Sequence, residues 1–168
     1  MKLPSLIALV LALLLSGCGT TTQEPPSAQE ALTLALSSQA PIAISGESQP
    51  QTLEDYCQSL SQQVELPVSV TRYAILDMDQ DQLPEAVVDF QFGENDTVMC
   101  LVVKNREEGL YGQPFYYRQM FQIKTDGTFR FSGGADNDGF GQLSWQTMDA
   151  ADSQQPEVTW SSDFPPAA

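Results

Sequence analysis

The chain has 168 residues, with 22 Asp and Glu against 7 Lys and Arg, for a formal net charge of −15. It contains no His, which excludes histidine general bases, Ser-His-Asp triads and His-ligated zinc. A charge this negative speaks against nucleic acid as a partner, while 42% hydrophobic residues suffice for a folded core.

The first predicted element is an export signal. Lys2 precedes an unbroken apolar run over residues 6–15. A bilayer span needs about 20 such residues, so the run reads as the core of a secretory signal. Leu15-Ser16-Gly17-Cys18 ends it and resembles a bacterial lipobox. The resemblance implies cleavage before Cys18, whose thiol is then joined to diacylglycerol. Two or more acyl chains of that kind anchor a protein stably in a membrane. Gly19 stands where the inner-membrane retention signal of enteric-type bacteria carries Asp, which implies the outer membrane as destination. The expected organisation is a signal peptide over 1–17, a lipidated flexible tether over 18–51, a globular domain over 52–148 and a tail over 149–168.

Within the tether, residues 19–27 are polar and Pro-bearing. Residues 28–36 have the Ala, Leu, Gln and Glu of a short helix. Pro41, Gly46 and Pro50 then interrupt any regular element. Thr52-Leu53-Glu54-Asp55 is a capping-box-like helix start, and Leu53, Tyr56, Cys57, Leu60 and Val64 fall on one helical stripe that ends before Pro67. Strands are predicted over 68–76, 86–92, 97–104, 115–123, 128–131 and 142–148. Gly93-Glu94-Asn95-Asp96 and Thr125-Asp126-Gly127 supply hairpin turns between them. The pattern predicts an α+β domain: a small antiparallel sheet with one N-terminal helix packed on one face. In the tail only Val158-Thr159-Trp160 is strand-like.

With Cys18 consumed by lipid, Cys57 and Cys100 form an even pair in an oxidising compartment. Cys57 lies on the apolar stripe of the helix and Cys100 in phase with Val98 and Val102, so a disulfide between them is predicted. Chain-entropy arguments assign a loop of that length about 4 kcal/mol.

One stretch carries a recognisable chemistry. Asp77-Met78-Asp79-Gln80-Asp81-Gln82-Leu83-Pro84-Glu85 sets carboxylates at positions 1, 3, 5 and 9 of a loop between two predicted strands. Hard divalent cations take oxygen ligands, and alternate spacing on a tight loop turns them toward one centre. The stretch resembles the calcium loop of secreted bacterial domains of the dockerin, VCBS and FG-GAP kind. That resemblance implies a calcium site formed by Asp77, Asp79, Asp81, the Leu83 carbonyl and Glu85. Gln80 and Gln82 stand where those loops carry glycine, and Val88 stands where an EF-hand carries its bidentate Glu. Such departures set the expected affinity no better than about 10⁻⁴–10⁻³ M. The alternative is a solvated acidic turn.

Asp136-Asn137-Asp138-Gly139 forms a second oxygen-rich loop, read first as a long hairpin turn. Tyr111, Phe115, Tyr116, Tyr117 and Phe121 form an aromatic cluster that period two divides between core and a sugar- or peptide-binding face. The expected function is a non-enzymatic binding or envelope-assembly module of the outer membrane. Its expected partners are the bilayer, through the lipid anchor, and an envelope protein or glycan. The competing reading is an enzyme or inhibitor that uses the acidic loops.

Overall fold

The computed structural model describes residues 26–94, 97–116, 118–132, 138–143, 148–150 and 153–166. The lipobox with Cys18, Tyr117 and residues 133–137 of the second acidic loop lie outside them. Among the described residues no helix is long and apolar enough to cross a membrane.

The first described element is a helix. Helix α1 spans Ala28–Leu36 behind a full capping box, in which Ser27 and Glu30 each satisfy the other's backbone N–H. Ala31, Leu32, Ala35 and Leu36 recur at helical spacing and are buried. Strand β1, Ala43–Ile44, follows and pairs in parallel with strand β5, Gly109–Tyr116. Residues 28–51 of the expected tether are therefore folded. Residues 28–51 belong to the domain because their apolar stripe and Ile42 and Ile44 join its main core.

Helix α2, Leu53–Val64, is capped by Thr52, whose hydroxyl accepts from the Asp55 N–H at 3.1 Å. It ends on Glu65 in a left-handed conformation. Strands β2 (Val68–Leu76), β3 (Glu85–Phe92) and β4 (Thr97–Arg106) complete a five-stranded sheet in the order β1-β5-β4-β3-β2. Every pairing but that of β1 with β5 is antiparallel. A second, three-stranded sheet holds β6 (Thr128–Ser132), β7 (Asp138–Leu143) and β8 (Met148–Ala150). The mixed α+β class is as expected, with two helices among the described residues and a larger main sheet than predicted.

The main sheet is buried on both faces. Alternation along β3 sends Ala86, Val88 and Phe90 toward the helices and Val87 toward the opposite side. On the helix side α1 lies over β4 and β5 and α2 over β2. On the back, Val87, Cys100, Val102 and Phe115 meet Phe129 and Leu143 of the second sheet together with Met120 and Ile123. The C-terminal segment straps the molecule, pairing Glu157 with Lys124 and Ser161 with Tyr73. The predicted strand over 115–123 ends instead at Tyr116, and Phe121 makes one isolated bridge to Arg130.

This two-faced burial overturns the predicted disulfide. Cys57 packs with the helix-side core, whereas Cys100 belongs to the core on the back of the sheet. Both thiols are free. A disulfide needs Cα atoms within about 7 Å and Cβ vectors that converge, and here the sheet stands between them. Burial pushes the Cys57 thiol up to about 11 and raises Cys100 further, so both are poor nucleophiles.

Candidate functional site

Two sites lie along strand β3, one at its entry and one at Asp89 on its back face. The first is the acidic loop at its entry. Residues 77–85 leave β2 and return into β3, and Gln80 and Gln82 take left-handed conformations at φ 61° and 72°. These are the two positions where the expected calcium loop would carry glycine. The loop's own carboxylates hold them there. Asp77 accepts the Asp81 N–H at 3.2 Å and the Gln82 N–H at 2.9 Å, while Asp81 accepts the Leu83 N–H at 2.9 Å.

Asp77, Asp79 and Glu85 converge, with one oxygen of each within 4.8 Å of the others. Asp81 joins them through a shared cation, and the Leu83 side chain stays exposed. The cation is Lys104. Antiparallel pairing sets it opposite Glu85 on β4, and its Nζ lies 2.5 Å from Asp79, 2.6 Å from Asp81 and 3.2 Å from Glu85. Sequence reasoning about the loop missed this residue because it arrives from another strand. The signal was present in part: a lysine at the end of the apolar run of β4 needs an acidic partner.

The electrostatics follow from three carboxylates around one ammonium. Burial disfavours the Lys104 charge, but its hydrogen bonds to Asp79 and Asp81 and the charge of Glu85 outweigh it and raise its pKa. The Lys104 hydrogen bond lowers the pKa of Asp81. Glu85 is wholly buried, and that burial pushes its carboxyl up to about 7, with the nearby Asp79 adding to the rise. The Met78 N–H at 2.7 Å and Lys104 offset only part of this.

A pH dependence is expected from Glu85. A carboxyl whose folded pKa exceeds its ordinary value near 4.5 takes up protons on folding. Stability should therefore fall as the pH rises from about 4.5 through about 7, by on the order of 2 kcal/mol. Urea midpoints at pH 5 and pH 8 measure it, and Glu85→Gln should remove most of the difference. A difference of the same size in Glu85→Gln would assign it to the overall negative charge instead.

The second site lies on the back of the main sheet. Residues Val68 and Val70 of β2 face the helices, but so do Tyr73 and Ile75, because a bulge between Val70 and Arg72 shifts the phase. The bulge turns Arg72 to the back face opposite Asp89. There Arg72 Nε donates to Asp89 Oδ2 at 2.7 Å, and the guanidinium stacks over Trp160 at 4.4 Å. The Asp89 side chain is 5% exposed and that of Arg72 45%, so the arginine covers a buried charge while facing a cavity.

That cavity has a volume of about 310 Å³. Cys100, Phe115, Met120 and Ile123 line its apolar side, and Gln122, Glu157, Arg72 and Asp89 its polar side. The 118–122 segment at its rim is strained, with Arg118 at φ 79° and Gln122 at φ 47°. Each such conformation costs about 1–3 kcal/mol and persists only where the surroundings hold it. Here Arg118 bonds Ser132 and the Arg130 guanidinium bonds Gln122. Of the aromatic cluster, Phe115 and Phe121 line the cavity, Tyr111 stacks under Arg106 at 3.8 Å, and Tyr116 is exposed. Compared with protein-family models, curated proteins and solved structures, the chain gives no match to any of the three.

Proposed function

We propose that the chain is a lipid-anchored envelope protein, carried on Cys18 at the outer membrane, that acts as a non-enzymatic binding or assembly module. Its ligand site is the cavity on the back of the five-stranded sheet. The observation that carries this reading is the Arg72–Asp89–Trp160 constellation set against the apolar wall of a cavity of about 310 Å³. Small-ligand and side-chain pockets have this make-up: an apolar body for affinity and a few fixed polar groups for orientation. The strained 118–122 rim supports it, because backbone strain concentrates where a surface is shaped for contact. An apolar side chain of an envelope protein, or a sugar face laid against Trp160, is the kind of group that fits.

The test uses the intact chain in cells. A photo-crosslinking phenylalanine analogue in place of Phe121 should yield one dominant adduct in the membrane fraction, and Trp160→Ala should abolish it. The same analogue at the exposed Tyr116 serves as reference. Equal adducts at both positions, unmoved by Trp160→Ala, would exclude the cavity as the binding site. The anchor is tested separately. Cys18→Ala should release the protein from membranes and end labelling by an alkynyl fatty acid.

A further inference from the structure

The calcium loop that the sequence resembles requires its donor oxygens to be open toward one metal centre. In this molecule they are engaged. Both Asp77 oxygens accept backbone N–H groups of the loop, and Asp79, Asp81 and Glu85 all reach Lys104 Nζ. An ammonium has three hydrogens, and three carboxylates surround this one. Calcium would need such oxygens free at about 2.3–2.6 Å, and Lys104 already engages three of the four carboxylates. The residues present do not fit a bound divalent ion.

We infer that Lys104 is the resident cation of the 77–85 loop, an ammonium delivered by strand β4 to the place where related loops hold calcium. Three observations combine. Glu85 and Lys104 are register partners, so pairing of β3 with β4 brings the charge to the loop without any ion from solution. The lysine side chain is 12% exposed, and holding an ammonium that deep requires compensating charge on several sides. Glu85 Oε1 is buried, accepts no well-formed hydrogen bond and faces that nitrogen at 3.2 Å. An oxygen so placed is what a central cation satisfies. Removing the ammonium while keeping its volume should therefore leave the buried Glu85 beside half-buried Asp77 and Asp79, a cluster that a divalent cation of the calcium class can occupy.

Melting of the full chain with calcium, with magnesium, and with sodium chloride at matched ionic strength tests this. The wild type should show no shift specific to calcium. Lys104→Met should melt at least about 5 °C lower and recover much of that loss in millimolar calcium. The same variant should bind terbium with luminescence sensitised by nearby aromatics. The double variant Lys104→Met/Asp79→Asn should lose both responses. A saturable, calcium-specific rise in the wild type would overturn the inference, as would a Lys104→Met protein that melts like wild type or folds yet ignores calcium. Should Lys104→Met fail to fold at all, amine acetylation of the native wild type decides the matter. Lys104 should stay protected until urea unfolds the chain, with or without calcium. Acetylation of Lys104 provoked by calcium in the folded protein would mean that the ion displaces it, and the inference would fall.

Discussion

Gly127→Ala is expected to destabilise the protein by about 2–4 kcal/mol, although it adds a single methyl group. Gly127 sits at φ +81°, where an L side chain costs about 1–2 kcal/mol. A Cβ there would also lie 2.5 Å from the Asp77 carbonyl oxygen and 2.9 Å from Met78 Cα. These are backbone atoms at the base of the acidic loop and cannot rotate aside, so overpacking adds about 1–3 kcal/mol. Gly46→Ala is the control, since Gly46 has φ +93° but nothing within 4 Å of the added atom. Urea unfolding of both variants separates strain from collision. Equal losses would show that the turn at Gly127 can back away from the loop.

Phe129→Ala should cost about 3–5 kcal/mol, the range for a fully buried phenylalanine. The ring lies between the two sheets. It packs on Phe115 with ring centroids 6.5 Å apart, and a Cβ at Gly141 would come within 3.2 Å of it. Phe115 is also a wall of the cavity, so the truncation should slacken that wall as well as the second sheet. Phe121→Ala, at the half-exposed rim, should cost far less. Denaturant midpoints measure the difference. A small loss at Phe129 would mean that the three-stranded sheet docks independently of its central ring.

Local signals were legible where one face or one cap decides the element. The Thr52 cap and its apolar stripe predicted α2 to within a residue, and β2, β3, β4 and β6 lie where alternation and turns put them. The strand expected over 115–123 failed because period two continues in Phe121 and Ile123 after the chain has already turned. Left-handed Arg118 and Gln122 mark that turn, and neither residue type announces it. The disulfide failed for a reason that lies in three dimensions. Parity along β4 gave Cys100 a face correctly in phase with Val102, but parity cannot say which face the helix covers. The acidic loop was legible from spacing alone, and its geometry at Gln80 and Gln82 follows the glycine positions it departs from. Lys104 was not, since register between strands brings it there. Arg72 had a readable trace: Val68, Val70, Tyr73 and Ile75 break the alternation at one point, and Asp89 lies in an apolar strand that needs a positive partner.

The capping box at Ser27 has a geometric corollary for a protein held by Cys18. Nine peptide steps separate the two residues, and a fully extended chain of that length reaches about 30 Å. That is roughly the diameter of a small domain. If Cys18 carries lipid as proposed, a leash of that reach would let the folded body tilt and swivel above the lipid headgroups but not travel away from them. Electrostatic repulsion between an anionic leaflet and a chain whose formal net charge would be −16 without residues 1–17 fades over a Debye length of about 8 Å. It would keep the leash taut without lengthening it. On the proposed anchor, any macromolecule that docks on this domain would itself have to come to the membrane surface.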